Sequence, residues 1–174
     1  MVRKFDLSCS HYDHNILKIK LMTLVDVSGE NQECLKGIEI QLSDGTAVKT
    51  STETGEFNNS YELDLGHSGR HILYGTGVWV ADSLDHMLST SFILSDGSIV
   101  RFPFGEIEEN NQLGTDDYDG PSQNSVLDVL PKNFHAHSIR MIGITGDLLE
   151  SSSLGDNVIA NIAFKYVCQY PYCK

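Results

Sequence analysis

Apolar and polar residues alternate strictly in many parts of this chain, whereas a helical period of apolar positions is almost absent. Gly37-Ile38-Glu39-Ile40-Gln41-Leu42 and Asn161-Ile162-Ala163-Phe164-Lys165-Tyr166 put every second side chain on one face, the pattern of a half-buried strand. The same pattern divides the chain into repeats of one unit: an apolar strand, a variable connection and a second, alternating strand. These are residues 16–21 with 37–42, 72–80 with 91–94, and 139–144 with 161–166. Ile38, Ile40 and Leu42 align with Thr90, Phe92 and Leu94, and again with Ile162, Phe164 and Tyr166. Spaced self-similarity of this kind marks a fold assembled from copies of one supersecondary unit. The expected class is all-β with pseudo-threefold symmetry.

Two of the alternating strands run into related turns, Ser43-Asp44-Gly45-Thr46 and Ser95-Asp96-Gly97-Ser98. Asp-Gly between alternating runs predicts a hairpin, because both residues tolerate positive φ. Residues 38–42 should pair with 47–49, and 92–94 with 99–102. From about 106 to 133 the alternation breaks into an acidic stretch, read as a long loop or insertion. Within it, Val126-Leu127-Asp128-Val129-Leu130 is either a strand of its own or a lead into the third repeat.

Length and composition make this a single domain, 1–174, with enough apolar residues for a core. No apolar run is long enough to cross a bilayer, so membrane insertion is not expected. The net charge of −12, with no stripe of Lys or Arg, excludes nucleic acid as an expected partner. Cys9, Cys34, Cys168 and Cys173 lack the CxxC spacing of a zinc site and point to a secreted protein whose ends are tied by disulfides. Their connectivity is open. Met1-Val2-Arg3-Lys4 leads into no apolar signal region, which fits either a mature secreted chain with an added Met or a cytosolic protein, and secretion is the expectation. Asn58-Asn59-Ser60 is an N-glycosylation sequon in that setting.

Several ordered stretches resemble the jacalin-related lectins. Leu35-Lys36-Gly37-Ile38-Glu39-Ile40-Gln41-Leu42-Ser43-Asp44-Gly45 is similar to that family's early strand and turn. Tyr61-Glu62-Leu63-Asp64-Leu65, Ile72-Leu73-Tyr74-Gly75-Thr76-Gly77, Leu88-Ser89-Thr90-Ser91-Phe92 and Phe102-Pro103-Phe104-Gly105-Glu106 then follow in the family's order. The resemblance implies a β-prism of three antiparallel Greek-key sheets and a non-catalytic protein whose partners are glycans or glycoproteins. It also leaves a homo-oligomer open. Lectins of this family hold sugar on a G-x-x-x-D loop near the C-terminus. Gly143-Ile144-Thr145-Gly146 opens in the same way, and residues 147–157 then read as a longer loop. The resemblance therefore implies a carbohydrate site made from Gly146, Asp147, Ser153, Gly155, Asp156 and Asn157. The chain departs from the family where the sugar-binding Asp is expected, which here is Ile159. An aliphatic side chain there leaves sugar hydroxyls unpaired, at about 1–3 kcal/mol each. Asp147 and Asp156 are the candidate replacements.

Other features are better explained without a ligand. Trp79 alternates with Val78 and Val80 and reads as core. The glycines of Gly66-His67-Ser68-Gly69-Arg70-His71 suit a tight turn near a related apex. Asp117 and Asp119, with Asp116 and Glu109, have the carboxylate density of a calcium loop but lack EF-hand spacing, so no cofactor is expected. His135 and His137 share one side of an extended segment with no third metal ligand identified. Nucleophile-elbow, phosphate-loop and HExxH motifs are absent, which argues against an enzyme. The reading that competes with a lectin is an extracellular structural or protein-interaction prism that has lost sugar binding.

Overall fold

The computed structural model describes residues 2–9, 14–25, 33–50, 57, 59–66, 68–79, 87–103, 139–151 and 156–168. Among them are ten strands and no helix: β1 (Val2–Ser8), β2 (Ile16–Val25), β3 (Glu33–Leu42), β4 (Ala47–Lys49), β5 (Asn59–Asp64), β6 (Ile72–Trp79), β7 (Met87–Leu94), β8 (Ile99–Pro103), β9 (Ile139–Ser151) and β10 (Asp156–Cys168). They form three antiparallel sheets: sheet I in the order β1-β9-β10, sheet II as β4-β3-β2-β5 and sheet III as β6-β7-β8. This is the expected β-prism. The acidic stretch 106–133, with Asp117 and Asp119, lies outside the described residues.

Each sheet is built on one of the repeats, and the repeats agree in detail. In the first strand of each pair one extra residue interrupts the ladder, Leu17 in β2, Leu73 in β6 and Ile142 in β9. In the second strand the extra residue is Lys36, Leu88 or Ala160. A bulge shifts the alternation by one residue and sharpens the twist, so bulges at related places bend the three sheets alike.

The two Asp-Gly turns are also copies. Gly45 and Gly97 have φ of 87° and 84°, the left-handed region open to glycine. Oδ1 of Asp44 accepts from Thr46 N at 2.9 Å and Thr46 Oγ1 at 2.6 Å, and Asp96 accepts from the same two groups of Ser98. A residue ahead of the preceding strand closes each corner. Ser43 N donates to Asn15 O at 2.9 Å and Ser95 N to His71 O at 2.9 Å. The adjacent basic side chain reaches the turn carboxylate, His14 to Asp44 at 3.4 Å and Arg70 to Asp96 at 3.5 Å. Hydroxyl bonds from Thr46 and Ser98, then backbone bonds, hold both carboxyls below their ordinary pKa.

The strands of the third repeat extend further than alternation indicated. β9 continues through Gly146 to Ser151, and β10 begins at Asp156, so most of residues 147–157 is ladder rather than loop. The reason is Leu148 and Leu149, which sit opposite Ile159 and Val158 and extend the apolar zip of the hairpin; Leu148 is 3% exposed. Polar Asp147 and Glu150 on either side concealed that pair in the sequence.

The inner faces of the sheets share one core, to which Ile19, Ile38 and Ile40 from sheet II, Ile72, Phe92 and Leu94 from sheet III, and Leu7, Ile144 and Ile159 from sheet I all belong. A chain of edge-to-face rings crosses it. Phe164 of sheet I meets Phe92 of sheet III at 6.0 Å, Phe92 meets Phe102 at 6.2 Å, and Phe102 meets Tyr61 of sheet II at 6.1 Å. Phe164 lies against Gly75 in β6 so closely that a Cβ there would be 2.6 Å from its ring. Gly75→Ala should therefore destabilise the fold by about 1–3 kcal/mol, as overpacking does. Urea unfolding checks this: the midpoint should fall, and adding Phe164→Leu should recover part of the loss. An unchanged midpoint would contradict the close approach.

Candidate functional site

The third repeat holds the candidate residues, and sheet I determines where they point. Its register places Lys4 opposite Asp147, Phe5 opposite Gly146 and Asp6 opposite Thr145; on the far side of β9, Gly146 faces Ile162 and Thr145 faces Ala163. Phe5 and Ile162 pack against the core. Strand alternation then turns Lys4, Asp6, Thr145, Asp147 and Ala163 outward. These side chains enclose a depression of about 450 Å³ on the outer face, with Phe5, Gly146 and Ile162 as its floor. The short side chain of the outward Ala163 leaves the room, because a longer one there would fill it.

An ion pair closes one end. Nζ of Lys165 on β10 donates to Oδ2 of Asp6 on β1, and Ser8 Oγ donates to Oδ1 of the same carboxylate. The pair spans β9 near Gly143, which lies opposite both Lys165 and Ser8. A Cβ at Gly143 would be 2.7 Å from Leu7 O and from Ser8 Oγ, so the crossing needs glycine. The Lys165 hydrogen bond, then that of Ser8, lowers the pKa of Asp6 against a smaller opposing effect of burial. Beyond the bridge lies a second depression of about 670 Å³, lined by Ser8, Cys9, Ile142, Phe164, Tyr166 and Val167, with Lys165 at its edge.

The residues named from sequence fall in different places. Gly146 and Asp147 line the first depression. Asp156 and Asn157 pair with Ser151 and Glu150 at the end of the hairpin, about 13 Å along the strands from Asp147. Ser153 and Gly155 lie outside the described residues, as do His135 and His137. Ile159 is 1% exposed and belongs to the core, so the position where the sequence resemblance would place a sugar-binding Asp points away from solvent. Trp79 lies in β6 opposite Met87.

Sequence reasoning missed Lys4, Asp6 and Lys165. The alternation of Phe5 and Leu7 with Lys4, Asp6 and Ser8 was the available signal for β1. Among the described residues no group of three or more His, Cys, Asp or Glu is placed to hold a metal ion.

The expected tie between the chain ends is corrected in one respect. Cys9 carries a free thiol, and β1 and β10 flank β9 on opposite sides. Two strand spacings, about 9–10 Å, exceed the reach of a disulfide, so Cys9 and Cys168 cannot be joined. Burial raises the pKa of the Cys9 thiol, with Arg140 acting in the opposite direction.

No family model matches the chain, and no curated protein matches it. Solved structures do. A prostate-specific WGA16 glycoprotein lectin is similar over 94% of this chain and 88% of its own, with a TM-score of 0.53 at 15% identity. AcmJRL, a mannose binding jacalin related lectin from Ananas comosus, matches over 97% and 99%, with a TM-score of 0.50 at 10% identity. The Bacillus thuringiensis insecticidal crystal protein Cry7Ca1 gives a TM-score of 0.58 at 11% identity over 93% of this chain, which spans only 30% of that longer one. At such identities the likeness is one of fold.

The Asp6–Lys165 pair has a defined pH dependence. A carboxyl whose folded pKa is depressed below 3.8 contributes stability above that value and loses it as pH falls through the folded pKa. In an NMR titration Asp6 should therefore titrate below 3.8, and Lys165→Met should move it upward. The stability gap between the two proteins should be small, as for any exposed pair, present at neutral pH and gone in acid below the folded pKa. An Asp6 midpoint that ignores the substitution would contradict the bridge.

Proposed function

We propose that this protein is a non-catalytic, carbohydrate-binding β-prism that recognises glycans on the outer face of sheet I. The observation that carries this reading is the position of Asp147 in a depression that also carries Lys4, Asp6 and Thr145 over an apolar floor. A carboxylate accepts from two hydroxyls, an ammonium donates to a hydroxyl oxygen, and a threonine hydroxyl does either. Neighbouring sugar hydroxyls need this mixture of donors and acceptors. The small side chain of Ala163 leaves space for the ring itself. The lectin structures of similar fold lend support, without extending their own ligands to this chain.

A second reading rests on Ile159. With the family's carboxylate position buried in the core, the prism would act by protein contact, as a structural module or as the targeting part of a larger assembly. Its likeness to a segment of a much longer chain favours this alternative.

A glycan array probed with the full chain, with and without EDTA, separates the two. The lectin reading expects retention of a defined set of glycans, unchanged by the chelator. Asp147→Ala should weaken binding at least tenfold, about the value of a hydrogen bond to a charged group. Asp156→Ala should have little effect. No retained glycan would leave the protein-contact reading, and loss of binding on Asp156→Ala alone would move the site to the hairpin end.

A further inference from the structure

We propose that the Lys165–Asp6 bridge is the specificity-determining wall of the outer-face depression, and that it restricts the site to the terminal residue of a glycan. This rests on the glycan-binding reading and adds to it which part of a glycan is bound and what makes the choice. The outward positions of β9 run Gly143, Thr145, Asp147 and Leu149, each in its own row of sheet I. The rows of Thr145 and Asp147 form the open ground. Leu149 lies opposite Val158, which shares the outward face and is nevertheless 0% exposed, so the face is covered past Asp147. At the other end Lys165 stands opposite Gly143 and reaches across the sheet to Asp6.

The bridge stands above the sheet: Lys165 and Asp6 are 44% and 55% exposed, and Gly143 beneath them brings no side chain of its own. Ser8 donates to the other oxygen of the same carboxylate, so Asp6 is held from two sides and holds Lys165 in turn. Past the bridge the surface falls away again into the second depression, to which Ser8, Cys9, Ile142 and Val167 contribute. Concave ground therefore lies on both sides of one ridge, and the ridge ends the site. From Asp147 to Gly143 is four residues, about 13 Å of strand, and three strands are about 9–10 Å across. The side chains of Asp147 and Lys165 take up part of that length. One pyranose ring fits between the walls, and a ring substituted toward both of them does not. The low side is β10, where Ala163 is short and exposed, and the rest of the glycan leaves over it. An exposed ion pair yields at modest cost, so the wall discriminates by a few fold and not absolutely.

The test is calorimetric titration of the full chain with the methyl glycosides of glucose, mannose, galactose and N-acetylglucosamine. The glycoside that binds is followed by its mono-O-methyl ethers and by a disaccharide carrying the same sugar at its non-reducing end. The disaccharide should bind within about twofold of the glycoside. An ether whose methyl group meets the bridge should bind about three- to fivefold more weakly than its parent, and in Lys165→Ala that difference should vanish. Asp6→Asn, which keeps the size of the side chain and loosens its hold on Lys165, should reduce the difference. Each ether is compared with the parent glycoside on the same variant. Ethers that all bind like the parent, or losses that persist equally in Lys165→Ala and Asp6→Asn, would overturn the wall while leaving glycan binding intact. A disaccharide bound about tenfold more tightly or more weakly than the glycoside would overturn the placement of a terminal residue. Binding of no glycoside at all would overturn this inference and the glycan-binding reading together.

Discussion

Edge-to-face contact between aromatic rings holds the three sheets of this prism in one arrangement. Each sheet presents an apolar face, and hydrophobic burial alone would tolerate many relative positions of three such faces. The rings Tyr61, Phe102, Phe92 and Phe164 remove that freedom, because each has a preferred angle to the next and together they touch all three sheets. Gly75 is the matching concession in the backbone, since any side chain there would push Phe164 away. With Phe164 fixed inward, the register of β10 is fixed, and a one-residue slip would exchange its two faces. The outward positions of Lys165 and Ala163, and across the ladder those of Asp6, Thr145 and Asp147, follow from where that ring is seated.

This explains which parts of the molecule were legible in the sequence. Residues 37–42 and 161–166 announced their strands by alternation, and Asp44-Gly45 and Asp96-Gly97 announced their turns, because both signals are local. β1 was not legible in the same way. Its partner β9 is about 140 residues distant in the chain, with no connecting turn to mark the pairing, so Lys4 and Asp6 could not be placed beside Asp147. Ile159 shows the complementary limit. Comparison with a family's pattern identified the substitution there, but only the ladder shows that the side chain faces Leu148 in the core, where no substitution would bring it to a surface ligand. Asp147 was named for its type, and its neighbours emerged from register.

Pseudo-symmetry governs the inner faces more strictly than the outer ones. On sheet II, Lys49, Glu39, Lys20 and Glu62 face one another across four strands in alternating sign, and Lys18 reaches Glu62 at 2.9 Å and Asp64 at 3.7 Å. Long side chains of opposite charge cover that face and satisfy one another. Sheet I carries Gly143 and Ala163 on its outer face, where the same architecture leaves concave ground. The repeat builds the support, and the size of a few outward residues decides which support can receive a ligand.

The paired Ser-Asp-Gly corners show a similar difference in the side chain that faces each aspartate. At one corner the cation facing the aspartate is the guanidinium of Arg70, which stays charged at any pH a protein meets. At the other it is the imidazole of His14, charged only when protonated. Two corners with the same hydrogen-bond pattern therefore differ in what grips the aspartate: a forked guanidinium in sheet III, and a single imidazole ring at the corner joining β3 to β4.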